Sequence, residues 1–549
     1  MAHHDDGAAA SFWSPFRITI FRAFWIANLV SSIGTWMHEI GAAWLMTSLT
    51  RSPVLIALVE TAISLPIFLL ALPAGALADI LDRRRMLLFT MGWLFAVAAT
   101  LGMLALMGLI APWILIGLTF ALGLGAALNA PVWHAVIPEM VPRADLHAAV
   151  TLNSAGFNFA RTIGPALGGL VVASAGPWAA FLLNAVSYLV VIVVLYRWKR
   201  PPRENIMPAE RITGAVRVGL RYVRHAPALH AVLIRVGAFM LFASAFWGLL
   251  PLFIRFELRS DPRGYGILVG LFGAGAVSGA LFLARARRRV SSNMLVSAAS
   301  LLFGGMLLIL GITRNLVSAG AAMLIGGAAW LTLLSTLNAS AQVVVPSWVR
   351  GRAIAFYLFA FFGSMAAGAS LWGVVASRIG VSHSFLLAAA GLFLSAAATH
   401  RFRVVEGGEA SLEPSLHWPA PRIVGPYDPD EEPVLVTVEY RIDPEQAQAF
   451  IAAMHELGRI RRRDGAVNWG IFRDTTEPGR YIEAFVAESW TEHLRHHERV
   501  TIADKAIEDR VESFHRGPTP PRVSHYIYAS NVEGEDTVGR ITEPPQGLR

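Results

Sequence analysis

The 549-residue chain contains no cysteine. Disulfides, thiolate-bound iron–sulfur clusters and thiolate zinc sites are thereby excluded. Charge is scarce as well: Asp, Glu, Lys and Arg make up 15% of the residues against 55% apolar, where soluble domains carry about 25% charged. No G-x-x-x-x-G-K-[ST] loop is present, which argues against an ATP-driven machine. Acidic residues are the rarest class in 1–403, with 12 beside 30 basic ones, whereas 404–549 hold 26 acidic and 16 basic. The basic surplus of the first part is explained by loop topology and by attraction to anionic lipid headgroups. No nucleic-acid partner is expected.

What the chain has in abundance is long apolar runs. Mean hydropathy is +0.51, and twelve apolar stretches follow one another at about 16–47, 53–75, 86–109, 112–137, 149–173, 177–197, 229–254, 264–284, 293–313, 316–341, 352–377 and 382–400. A hydrocarbon core of roughly 30 Å needs about 20 apolar residues wound as a helix, and only helices or closed barrels cross it with every backbone group satisfied. The reading is an all-α membrane fold of twelve transmembrane helices. With the N-terminus inside, 22 basic residues fall in the inner segments and six outside (Arg51, Arg255, Arg259, Arg263, Arg314, Arg378). That bias places both termini and the sixth loop in the cytoplasm. Residues 1–15 carry Asp5 and Asp6, unlike a secretory leader.

The twelve stretches divide into two sixes. GALADILDRRR at 75–85 is answered by GALFLARARRR at 279–289, VVAS at 171–174 by VVAS at 374–377, and Asn129 with Pro138 by Asn338 with Pro346. Matches in register at 203–209 residues indicate pseudo-symmetric six-helix halves with a substrate site between them near the bilayer midplane. The expected organisation is a first half over 1–200 and an inter-half loop over 201–228, with an amphipathic inner-surface helix at Gly214–Arg224. A second half over 229–403 and a linker over 404–432 follow. Then VLVTVEYRI (434–442) alternates like a strand, a helix-periodic run covers 444–463, strands are expected at 466–474 and 480–489, a helix at 490–513 and a last strand at 522–529. The βαββαβ order predicts an α+β, ferredoxin-like domain over 433–530, followed by a disordered tail over 531–549.

GALADILDRRR resembles the loop 2–3 signature of the major facilitator superfamily, with Gly75, Leu77, Asp79, Arg83 and Arg84 matching, and Ile80 and Asp82 departing from it. GLGAA at 123–127 is similar to the small-residue end of a helix 4 motif whose arginine is replaced here by Thr119. GPALGG at 164–169 resembles the helix 5 signature of the antiporter branches, with Ala160 in place of an earlier glycine. FWIANLVSSIGTWM, LTRSP and NFARTIGPALGG are most similar to the transmembrane secretion effectors, a bacterial subfamily that includes enterobactin-type siderophore exporters. Around WTEHLRHHERVTIAD the tail resembles antibiotic-biosynthesis-monooxygenase domains.

These resemblances imply a secondary transporter of the bacterial inner membrane that exports a hydrophobic or siderophore-like small molecule, coupled to protons. It would not be an enzyme and would use no cofactor. Its partners would be a small-molecule substrate, the proton, the lipid bilayer and, through the tail, a second copy. An importer, a lipid flippase, or a sensor or enzyme acting through the tail are the alternatives.

Ionisable groups in hydrocarbon are costly and mark function. Arg161 on helix 5, Glu39 with neighbouring His38 on helix 1, and Glu60 on helix 2 are the candidates for proton coupling or substrate binding, and bilayer depth permits Glu39–Arg161 or Glu60–Arg161 pairing. Gly75, Asp79 and Arg83 are the candidate cytoplasmic gate, the role the superfamily resemblance gives that loop. Gly164, Pro165, Gly168 and Gly169 read either as a leak-limiting kink, which the antiporter resemblance implies, or as tight helix packing. His134, at the inner end of helix 4, is a further candidate proton relay. His493, His496, His497 and Glu498 look like metal ligands, but there is no second cluster and no cysteine, and the tail's family resemblance implies instead the charged helix of a dimerisation or ligand-pocket module; no metal is expected.

Overall fold

The computed structural model describes residues 13–198, 220–404, 412–413, 415, 417–418 and 432–528, except the side chains at 72, 75, 76, 78–80, 134, 135, 143, 284 and 347. The chain forms two compact units. One comprises 1–212, 231–341 and 354–405; the other gathers 213–230, 342–353 and 406–549. Most of 201–228, most of the 404–432 segment and all of 531–549 lie outside the described residues.

The first unit is helical: α1 (Thr19–Leu49), α2 (Pro53–Ile80), α3 (Arg83–Leu106), α4 (Pro112–Met140), α5 (Leu146–Ala175), α6 (Pro177–Arg197), α7 (Pro227–Leu252, continued by a π-helical turn Phe253–Glu257), α8 (Pro262–Ala286), α9 (Ser292–Ile312), α10 (Leu316–Val343), α11 (Arg350–Ile379) and α12 (Val381–Thr399). Five of them start on proline, whose fixed φ and missing N–H suit a first helical turn. Among the described residues ten are long and apolar enough to cross a membrane. The two outside that set are α1, which carries Arg22, His38 and Glu39, and α5, which carries Asn153, Asn158 and Arg161. Their polarity is what a helix facing a protein interior would have, since lipid exposure punishes it.

The sequence repeat has a parallel in backbone geometry. Gly176 between α5 and α6 has φ 101°, and Gly380 between α11 and α12 has φ 83°. Each donates its N–H back four residues, to Val172 and Ala376. A side chain resists this left-handed turn, so the same residue type recurs at the same joint. Pairing repeats too: α3 packs on α6 in the first half and α9 on α12 in the second.

Both halves hold aromatic cores. Phe24 stacks on Trp133 at 4.3 Å, and Phe246, Phe272, Phe303 and Trp330 form a cluster with ring centroids 5.0–6.4 Å apart. The halves meet through α5 and α8 and through α2 and α11, where the Thr61 and Ser370 hydroxyls are 2.9 Å apart and Phe68 packs on Phe359 at 4.3 Å.

The second unit is built on a four-stranded antiparallel sheet, β1 (Val434–Arg441), β2 (Asn468–Arg473), β3 (Arg480–Ala487) and β4 (Arg522–Ile527), in the order β2-β3-β1-β4. Alternation of buried and exposed positions along β1 and β3 is the period-two pattern of a strand with one face on a core. α13 (Ala447–Asp464) connects β1 to β2. The expected single helix over 490–513 is instead two, α14 (Trp490–Arg499) and α15 (Ile502–Glu512). Thr501 breaks it: its hydroxyl accepts from the Asp504 N–H, while the Asp504 carboxylate accepts the Thr501 N–H at 3.0 Å. This reciprocal cap starts a new helix.

Arg461 is buried under the sheet, 3.2 Å from Glu483 and 2.7 Å from Glu508, with its guanidinium over the Trp418 ring at 4.6 Å. Glu508 also accepts from Trp418 Nε1 at 3.1 Å and contacts His417 Nε2 at 3.0 Å. Burial alone would raise the Glu508 pKa, but the Arg461 charge and these hydrogen bonds hold it down to about 2. Its contribution to stability is therefore present above its ordinary value near 4.5 and lost as pH falls towards 2. Removing it leaves Arg461 short of an anion. Glu508→Ala is expected to cost about 3 kcal/mol, read as a roughly 100-fold loss of hydrogen-exchange protection over β1 in the full chain.

Candidate functional site

Glu39 on α1 and Glu60 on α2 face one cavity of about 40 Å³. Its walls are Trp36, Ile40, Ala43, Ile56, Val59 and Ile63 from the first half and Trp247, Pro251, Tyr265 and Val269 from the second. Tyr265 shares the wall of this cavity with both acids. Ser64 Oγ donates to Glu60 Oε1 at 3.4 Å. Among the described residues neither acid has an ion pair, and a buried anion without a partner is costly. Each must carry a proton or meet water. The cavity holds only a few waters, far from the 300–1,000 Å³ of a drug-sized site. In this conformation it is closed to cargo.

Arg161 forms no ion pair with Glu39 or Glu60. Its Nη2 is buried with no hydrogen-bond partner. His38 also stands apart from the cavity: both ring nitrogens are buried without partners, and the ring lies 4.6 Å from that of Phe181 on α6. The structure thus brings the two acids together and leaves the two basic candidates elsewhere.

The glycines of 164–169 define how α5 packs. A methyl on Gly164 would lie 2.6 Å from Trp36 Cβ, and one on Gly168 2.8 Å from Met37 Cα, so this face fits α1. A methyl on Gly169 would lie 2.5 Å from the Pro262 carbonyl oxygen and 2.9 Å from Gly266 Cα, so that side fits α8. The α5–α8 crossing joins the halves backbone to backbone. At the same end Arg255, following α7, donates to Thr47 Oγ1 at 2.9 Å and Ser48 Oγ at 2.6 Å and covers the Trp44 ring at 5.0 Å.

At the other end Arg83 pairs with Glu139 of α4 at 2.8 Å, a partner the sequence reading missed although Glu139 is the acid closest to the α4 terminus. Arg84 donates to the Leu195 and Tyr196 carbonyl oxygens at 3.0 and 2.7 Å, capping α6, and Asp82 caps α3 by accepting the Arg85 N–H at 2.8 Å. Gly75 and Asp79 lie on α2; their side chains, like that of His134, are outside those described. Arg83→Glu is expected to lower stability by about 1 kcal/mol, and adding Glu139→Arg should recover most of it. A double-mutant cycle on thermal midpoints checks this.

In the second unit the domain carrying the sheet meets two segments that flank the long helices. Arg221, before α7, donates to the Gly465 carbonyl oxygen and to Glu488, both at 2.7 Å. Arg499 covers the Trp348 ring, between α10 and α11, at 4.6 Å, and Arg463 covers Tyr222 at 5.7 Å.

A family model described as transmembrane secretion effector matches residues 10–533. The chain belongs to that family of major facilitator transporters. The match runs into the residues of the C-terminal sheet. Relatives include the MFS-type transporter YfiS of Bacillus subtilis, 25% identical over 66% of this chain and 88% of that protein. The multidrug efflux pump Tap of Mycolicibacterium fortuitum is 25% identical over 66% of this chain and 90% of its own. The staphyloferrin A transporter of Staphylococcus aureus is 28% identical over 31% of this chain and 43% of its own. Among solved structures, a bacterial homologue of the lysosomal transporter Spinster, inward-facing and unoccupied, superposes with TM-score 0.56 at 14% identity, over 71% of this chain and 97% of that one. A POT family transporter gives 0.58 at 11% identity, over 70% and 95%. The chain is a multi-pass membrane protein whose relatives are transporters rather than enzymes.

Proposed function

We propose that the protein is a proton-coupled exporter of hydrophobic or siderophore-like small molecules, working by alternating access across the bacterial inner membrane. All twelve long helices cross, in two six-helix halves, with both termini cytoplasmic. The observation that carries the coupling is the pair Glu39 and Glu60, facing one cavity with no cation paired to either among the described residues. A carboxylate that must be protonated when dry and can ionise when wet exchanges protons with whichever side its cavity opens to. Efflux pump Tap and the staphyloferrin A transporter, as relatives, support the cargo class.

The Lys and Arg distribution supports placing the Arg83 end in the cytoplasm, which makes the end closed by Gly169, Gly266 and Arg255 the outer one. The present conformation is then closed at its outer end. The C-terminal sheet, with its β2-β3-β1-β4 order, fits a ferredoxin-like domain, and its contacts with Arg221, Tyr222 and Trp348 favour an accessory role. The test is transport in liposomes: cargo should move when a pH gradient is imposed and stop when it is collapsed. Movement that needs sodium, or no gradient, would overturn the coupling.

A further inference from the structure

We propose that His493, His497 and His525 form a binding site for a divalent transition-metal ion of the zinc type. One nitrogen from each lies within 4.8 Å of the others. His493 and His497 share one face of α14 at the i, i+4 spacing, and the helix is fixed at its start by Ser489, whose hydroxyl accepts the Glu492 N–H at 3.2 Å. Their Nε2 atoms are 3.2 Å apart and their rings are nearly perpendicular, at 83°. Zinc–imidazole bonds of about 2.0–2.1 Å in a tetrahedron place ligand nitrogens roughly 3.3–3.4 Å apart. The pair already has the spacing of two ligands on one ion.

The third ligand comes from another element. His525 sits on β4, opposite Val436 of β1, with its ring 4.8 Å from that of His493. Two tryptophans wall the site: Trp490 lies 5.3 Å from His493 and 5.7 Å from His525, and Trp418 lies 4.7 Å from His497. Three neutral imidazoles without a carboxylate suit zinc, copper or nickel rather than calcium or magnesium. A three-histidine set also leaves a fourth position for water or an exogenous donor. The competing explanation for the 3.2 Å contact is a hydrogen bond between two imidazoles with no ion.

The experiment uses the full chain in detergent, purified through a tag free of histidine and stripped with a chelator. Cobalt(II) is titrated while the visible d–d absorption is followed. One equivalent should give the intense bands of a four-coordinate site, and zinc(II) should abolish them. His493→Ala and His525→Ala should each weaken binding by about 100-fold or more, whereas His455→Ala, on α13 outside the cluster, should not. Hydrogen-exchange protection over β1 reports whether each variant keeps its fold. Absence of the cobalt bands, or bands that persist unchanged in a folded His525→Ala variant, overturns the proposal.

Discussion

Glu60→Gln is expected to reduce pH-driven transport by on the order of 100-fold, the lower end of what deleting a proton-transfer group costs. The amide keeps the volume of the carboxyl and still accepts from Ser64, so the cavity between α1, α2, α7 and α8 should keep its walls. What is lost is the ability to gain and release a proton as the cavity changes sides. Cargo exchange at equal pH on both sides needs no net proton movement and should survive. Glu39→Gln should behave in the same way, because its carboxyl faces the same cavity. Glu257→Gln is the control: that acid pairs with Arg314 at 3.2 Å, outside the cavity, and its loss should leave the rate within about twofold. Liposome flux and counterflow measured side by side make the distinction. If Glu60→Gln pumps as well as the unmodified protein, proton coupling resides elsewhere.

The second large effect is expected at the α5–α8 crossing. Valine at Gly169 would put its Cβ 2.5 Å from a carbonyl oxygen and 2.9 Å from another helix's backbone. Neither can move aside as a flexible side chain would. Overpacking of this kind costs about 1–3 kcal/mol, which depopulates the closed arrangement of that end by roughly 5- to 150-fold. Transport should fall because one of the two alternating states is penalised. Because the chain has no native cysteine, a single Ala43→Cys substitution in the cavity wall reports directly. A membrane-impermeant maleimide added outside should label it slowly in the parent and much faster with Gly169→Val. Gly117→Val is the matched control, since a Cβ there meets nothing within 4 Å. Equal labelling rates in all three proteins would remove the role assigned to the crossing.

Much of the fold could be read from the sequence because the bilayer imposes a coarse and repetitive rule. Each of the twelve apolar stretches lies on a helix, with ends displaced by a few residues, and the four strands of the C-terminal sheet fall within the expected stretches, the first of them, β1, where period-two alternation put it. The helix break at Thr501 was also written in the chain, as T-x-x-D, but was masked by a continuing run of polar residues. The site was less legible. Depth along a helix is computable from residue number, yet rotation about the helix axis is not. That is why depth permitted Arg161 to pair with either acid, while in the structure Glu39 and Glu60 turn into one cavity and Arg161 does not join them. His38 shows the same limit: adjacent to Glu39 in sequence, it points about a quarter-turn away, towards Phe181. His525 was overlooked because the sheet register, not sequence spacing, brings it to His493 and His497. Glu139 was overlooked because its pairing with Arg83 joins two helix ends 56 positions apart.

The acid pair also bears on what the transporter would accept. Two carboxylates that lack a basic neighbour among the described residues offer a vacancy for any guest that brings its own positive charge. A lipophilic amine would occupy the place of the proton, each expelling the other, so that the exchange would be enforced by simple competition. A polyanionic guest would be repelled there and would have to bind at a distance from both carboxylates. Flux assays with one molecule of each sign, repeated in the Glu39→Gln and Arg161→Ala backgrounds, would tell which kind of passenger this interior was shaped to carry.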